Sequence, residues 1–141
     1  MKRTDTRPSP VDIEARLIEA GIRPTAQRIA VGSVVLRDGG HPSADEVKAR
    51  VDREFPVPRM SLATVYNTLK VLVAAGLLKE IRLPHSEKVL YDYWRSEHFH
   101  FLDEDTGELV DIPAESVAVT PSLAKKYKIS SIDVLMKGTR T

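Results

Sequence analysis

The chain has 141 residues, of which 42% are hydrophobic and 29% charged, with a formal net charge of +1 and no cysteine. That size suits one domain of ordinary dimensions or two small ones; without cysteine, disulfides, thiolate metal sites and thiol catalysis are excluded, and any metal must sit on nitrogen and oxygen. No apolar run reaches about 18 residues and "MKRTDTRPSP" lacks the apolar centre of a signal peptide, so the expectation is a cytoplasmic protein with no membrane partner.

The first eighty residues read as helices. "VDIEARLIEAG" places Val11, Ile13, Leu17 and Ile18 at helical spacing and stops at Gly21, and "PTAQRIAVGSVVLRDGG" opens on Pro-Thr and closes on a double glycine. "HPSADEVKARVDREF" carries a capping box, Ser43 followed by Glu46, with Val47 and Val51 on one face. "SLATVYNTLKVLVAAGLL" follows, capped by Ser61, with Leu62, Val65, Leu69 and Leu72 as its apolar stripe and Gly76 as its stop.

From Lys79 the period changes to two. "KEIRLPHSEKVLYDYW" predicts a hairpin turning around Pro84 to Glu87, and "FHFLDEDTGELVDIP" a second one turning at "DEDTGE". A weak helix near "SLAKKY" and a last strand in "ISSIDVLMKG" complete an α+β chain with its domain boundary near Trp94 to Glu97, giving domains 1–94 and 95–141. The "DTG" at Asp105 and a calcium-loop reading of "DEDTGE" are both set aside. The first lacks the apolar setting of a catalytic aspartate, and the second has glycine at the fifth place and Ala114 at the twelfth.

Charge is also divided along the chain. Residues 1–82 hold 14 Lys+Arg against 10 Asp+Glu, and residues 83–141 hold 7 against 10. The basic part suits a polyanion and the acid-rich stretch from Asp92 to Glu115 suits cations, although solvated surface charge accounts for so small an imbalance equally well.

Helices followed directly by a hairpin predict an N-terminal winged helix-turn-helix, in which one helix enters the major groove and the wing touches the flanking backbone. The fourth helix is the candidate reader. Opposite its leucine stripe stand Ser61, Ala63, Thr64, Tyr66, Asn67 and Lys70, short polar groups and a phenol able to reach base edges, with a lysine for phosphate. An amphipathic helix whose polar face meets only water explains that pattern too.

"GIRPTAQRIAV", "GGHPSADEV", "SLATVYNTLKVLVAAGLLKEI" and "YDYWRSEHFHF...TGELVDI" resemble, in order and spacing, the ferric uptake regulator (Fur) family of bacterial metal-dependent repressors. The resemblance runs from about Ile13 to the C-terminus. It implies a homodimer that binds a double-stranded DNA operator through an N-terminal winged helix and pairs through a small C-terminal α/β domain. Under it, Thr64 and Tyr66 are expected at bases, Ser61, Asn67 and Lys70 nearer the backbone, and Arg23 at phosphate or minor groove. His85, in the wing turn, is left as surface or a phosphate contact.

His98 and His100, two apart on a strand, project from one face and can present neutral nitrogens to one ion. Asp92 precedes them, Asp111 lies on the returning arm of the "DEDTGE" hairpin, and His41 opens the third helical segment. In the regulatory site of the family that the chain resembles, the ligands match His41, Asp92, His98, His100 and Asp111. Imidazole and carboxylate without thiolate favour Fe²⁺, Mn²⁺, Co²⁺ or Zn²⁺; the expected cofactor is Fe²⁺ or Mn²⁺, with Zn²⁺ as an in-vitro substitute. Ligands from both domains would let metal hold the two winged helices of the dimer at the spacing of successive major grooves.

Aspartate at both Asp92 and Asp111 is similar to the family's peroxide-sensing members, in which bound Fe²⁺ reacts with peroxide and oxidises a ligand histidine; His41 and His98 are the corresponding residues. Iron-, manganese- or haem-responsive members are the alternative, though the dense histidine run or Cys-Pro element of a haem sensor is missing. A non-haem iron enzyme would leave the winged helix unexplained, and the expectation is a regulator rather than an enzyme. The chain departs from most members where a structural zinc would sit. Asp103 and Thr106 occupy the first cysteine pair's positions and "MKGTRT" ends without the second, so no structural zinc is expected and the dimer should rest on Leu109, Ile112, Ile132, Val134 and Leu135.

Overall fold

The computed structural model describes residues 10–36, 40–93, 97–118 and 121–141, and the chain divides into two compact units, Met1–Trp94 and Arg95–Thr141. Trp94, at the expected boundary, lies outside the described residues.

The first unit contains α1 (Pro10–Glu19), α2 (Ala26–Val35), α3 (Ala44–Glu54) and α4 (Leu62–Ala74), then β1 (Leu78–Arg82) and β2 (Val89–Tyr93). Each of the last three helices starts on a hydroxyl that accepts a first-turn N–H: Thr25 from Arg28, Ser43 from Glu46 and Ser61 from Thr64. Left-handed glycines end α1 and α4. Gly21 and Gly76 (both φ +77°) let Ile22 N–H reach Leu17 O at 2.8 Å and Leu77 N–H reach Leu72 O at 3.0 Å.

The expected apolar faces meet in one core, with Ile13, Leu17, Val31, Val34, Val47, Val51, Val65, Leu69 and Leu72 all fully buried. Two residues depart from the expected stripes. Ile18 is 58% exposed, because it stands a further 100° round the helix from Leu17, and Leu62 is only half-buried against the margin of the core. Thr68 lies inside instead, its hydroxyl satisfied by Thr64 O at 3.0 Å. Where α1 crosses α2, a β-carbon on Gly32 would stand 2.9 Å from Ile13 Cγ2, so that close approach needs the glycine. β1 and β2 pair antiparallel from Leu78 opposite Tyr93 to Arg82 opposite Val89, as the period-two pattern predicts.

The second unit is a three-stranded sheet ordered β4-β3-β5, from β3 (His98–Asp103), β4 (Leu109–Pro113) and β5 (Leu135–Gly138). β3 and β4 form the predicted hairpin, while β5 returns parallel to β3. The expected last strand is shortened to Leu135–Gly138, and the stretch from Ile129 to Val134 before it is irregular. The weak helix is a 3-10 segment at Pro121–Lys125.

The β3–β4 turn is held from within and from the C-terminal tail. The Asp103 carboxylate accepts the N–H groups of Asp105 at 2.9 Å and Thr106 at 3.3 Å, and Gly107, at φ +75°, donates to Asp103 O at 2.8 Å. Arg140 then lies 3.6 Å from the same carboxylate and 2.9 Å from Glu108.

Candidate metal centre and nucleic-acid interface

In the first unit, the residues just before α3 are laid along β2. Pro42 O accepts the Tyr91 N–H at 2.9 Å, and Ser43 bridges antiparallel to Leu90. That short pairing brings the His41 imidazole beside the next residue of β2, with Nε2 3.5 Å from Asp92 Oδ1 and both side chains more than nine-tenths buried.

In the second unit, the strand period aligns His98 and His100 on one face of β3, and the hairpin register sets Asp111 opposite His100. Both imidazoles converge on one oxygen: Asp111 Oδ1 is 3.5 Å from His98 Nε2 and 3.4 Å from His100 Nε2. The rings meet edge to face with centroids 4.8 Å apart. The histidines are largely buried while the Asp111 side chain is 55% exposed, so the group is open on its carboxylate side. Two neutral nitrogens and one anionic oxygen are the donors a divalent cation of the Fe²⁺ and Mn²⁺ class accepts. Both groups lack sulfur, as the cysteine-free chain requires.

The candidate reader helix presents Ala63, Tyr66, Asn67 and Lys70 as exposed residues at positions one turn apart, opposite the buried Val65, Leu69 and Leu72. Ser61 and Thr64 have a local task as well. Their hydroxyls lie 3.0 Å apart and Ser61 caps the helix, so both are oriented before anything binds. Tyr66 is 38% exposed on this face. Beneath it on β2, burial first and then the neighbouring Glu80 and Tyr66 raise the Tyr91 phenol above its usual range, keeping it neutral. His85 sits exposed in the wing turn with φ +61°.

Arg23 is exposed in the α1–α2 connection, at the rim of a cleft of about 370 Å³. Thr64 and Asn67 of α4 form one side of that cleft, and Thr25, Gln27 and Arg28 join Arg23 on the other. Arg28 Nη1 donates to the Arg23 carbonyl at 3.0 Å, which anchors one edge of its guanidinium. Sequence reasoning did not single out Gln27 or Arg28. Their only signal is position, in the first turn after a capping threonine, and that turn faces α4 only once the helices are packed.

Residues 19–138 match the ferric uptake regulator family. The chain belongs to that family. Among its relatives, the peroxide operon regulator of Bacillus subtilis (strain 168) is 37% identical over 95 residues, 67% of this chain and 63% of that protein. The peroxide-responsive repressor PerR of Staphylococcus aureus is 36% identical over 97 residues, 69% of this chain and 64% of that one. The chain thus spans less than two-thirds of either relative's length. The solved structure of the Campylobacter jejuni peroxide stress regulator matches with a TM-score of 0.68 at 27% identity, covering 92% of this chain and 93% of that one. No helix among the described residues is long and apolar enough to cross a membrane.

Proposed function

We propose that this ferric uptake regulator family protein is a metal-dependent, peroxide-responsive DNA-binding repressor, acting in the cytoplasm as a homodimer and not as an enzyme. Residues 1–94 would bind the double-stranded operator, and residues 95–141 would dimerise and complete the sensor. The observation that carries the reading is the convergence of His98 and His100 on Asp111 Oδ1 at 3.5 and 3.4 Å, in a chain whose relatives respond to peroxide.

His98, His100 and Asp111, with His41 and Asp92, would hold Fe²⁺ or Mn²⁺ in this reading, with Zn²⁺ as an in-vitro substitute. The ferrous ion, when bound, supplies the redox chemistry toward peroxide. The chain's residues do the rest: the imidazoles bind as neutral donors, the two aspartates balance the charge, and His41 and His98 are the side chains we assign to oxidation. With ligands drawn from both units, as this reading assigns them, occupancy would bias the DNA-binding unit between competent and incompetent states. For DNA we retain Thr64 and Tyr66 at bases, Ser61, Asn67 and Lys70 near the backbone, and Arg23 at phosphate.

No structural zinc is assigned. The Asp103 carboxylate is engaged by its own turn and by Arg140, which supports that reading. A second copy is favoured by the apolar residues that the second unit leaves exposed, Leu123, Tyr127, Ile129 and Ile132, beside the half-buried Leu109, Ile112, Val134 and Leu135.

The test is anaerobic reconstitution with Fe²⁺ and separately with Mn²⁺, followed by operator binding, stoichiometric peroxide and mass analysis of tryptic peptides. A gain of one oxygen at His41 or His98, with loss of binding only in the iron form, is the expected result. Unchanged mass, with binding that simply follows metal concentration, would make the protein an iron or manganese gauge.

A further inference from the structure

We propose that the cleft between the first turn of α2 and α4 grips a single DNA backbone phosphate, with Arg23 and Arg28 as its cations. The proposal rests on the DNA-binding reading and extends it to a site and to a residue, Arg28, that the reading does not use.

Three observations carry it. First, among the residues lining the cleft two are arginines and none is acidic, whereas the chain as a whole holds 21 Lys+Arg and 20 Asp+Glu. A cavity with two guanidiniums and no carboxylate has the charge of an anion site. Second, Arg28 is pre-oriented. Its Nη1 is committed to the Arg23 carbonyl at 3.0 Å, which fixes the plane of the guanidinium and leaves its remaining N–H donors for another acceptor. The same bond ties Arg28 to the backbone of Arg23, and both residues line the cleft.

Third, the opposite wall belongs to the reader helix. Thr64 and Asn67 line the cleft, while Asn67 also belongs to the exposed face that carries Tyr66 and Lys70. An anion in this cleft would therefore lie at the flank of a helix entering the major groove, where the duplex backbone runs. The site is argued from its side chains and not from the helix end, where Thr25 already accepts the Arg28 N–H at 3.2 Å. Buried Thr68 and half-buried Val71 complete the lining.

The test uses the Mn²⁺-loaded full-length protein and a random-sequence duplex of about 25 base pairs, because a phosphate contact is independent of sequence. Binding is titrated across KCl concentrations for wild type, Arg28→Gln, the double variant Arg23→Gln/Arg28→Gln, and Arg23→Lys/Arg28→Lys, with thermal melts to verify folding. If one phosphate is neutralised, the double glutamine variant loses about 0.9 from the slope of log K against log salt, or about eightfold in affinity near 0.1 M, and Arg28→Gln alone loses part of it. The lysine pair keeps the slope.

A loss of about 1.8 would mean two separate phosphates and would overturn the shared cleft. An unchanged slope in a folded Arg28→Gln protein would remove Arg28 from the interface, and weaker binding at unchanged slope would reduce it to a structural role. If wild type binds the duplex while the variants match it, the cleft is wrong and the DNA reading stands; if wild type binds no duplex, both fall together.

Discussion

Replacing Asp103 tests whether its turn is held by hydrogen bonding alone. In Asp103→Ala, two charge-assisted bonds vanish, those from Asp105 N–H at 2.9 Å and Thr106 N–H at 3.3 Å, together with the 3.6 Å ion pair to Arg140. Bonds to a charged group are each worth about 1.5–3 kcal/mol, and both donors sit on exposed residues that can return to water, so the lower end applies. The expected loss from the two bonds is about 3 kcal/mol. Asp103→Asn keeps an acceptor at Oδ1 and should lose about half as much, because neutral bonds retain about 0.5–1.5 kcal/mol each. Arg140 is 55% exposed, so Arg140→Ala should cost at most about 1 kcal/mol. Urea unfolding at fixed protein concentration, with metal chelated, gives the ranking Ala worse than Asn worse than the arginine deletion. If Arg140→Ala costs as much as Asp103→Ala, the ion pair and not the turn's own bonding holds the hairpin, and the reasoning fails.

Removing a carboxylate or an imidazole from the second unit's group should separate metal response from fold. His100→Ala and Asp111→Ala are expected to bind the operator equally weakly with and without metal, while their far-ultraviolet circular dichroism matches wild type; wild-type affinity that ignores chelation would end the switch model. Tyr66→Ala should weaken operator binding by about 1–2 kcal/mol, in the range of a lost base contact, at unchanged metal content measured by elemental analysis. Gly32→Ala places a methyl group 2.9 Å from the fully buried Ile13. Overpacking costs about 1–3 kcal/mol and the gain in helix propensity returns about 1, so a lower melting temperature is expected and a higher one would refute the claim of close helix approach.

What could be read in advance follows from the range of the signal. Helix starts were legible because Thr25, Ser43 and Ser61 act on N–H groups three residues away, and the core stripes because Val65, Leu69 and Leu72 repeat at the helical period. The common face of His98 and His100 is equally local, since a strand alternates regardless of its partners. Asp111 requires one further step, the hairpin register that sets it opposite His100, and a short turn fixes that register. His41 beside Asp92 is different in kind. It depends on Pro42 and Ser43 pairing with Tyr91 and Leu90, nearly fifty residues along the chain, and no periodicity announces such a bridge; only the family resemblance joined those two residues.

The parallel return of β5, the reach of Arg140 to Asp103 and the placing of Arg28 across from Asn67 were illegible for the same reason. Each is a contact between segments whose local patterns are complete without it. Such contacts also combine residues of contrasting character, an arginine with a buried carboxylate or two arginines with an amide, where a composition-level reading sees only surface charge. The cleft at Arg28 is therefore the place where a measured salt slope adds what neither periodicity nor resemblance contained: whether a charge held by its own backbone is there for stability or for the phosphate of a duplex.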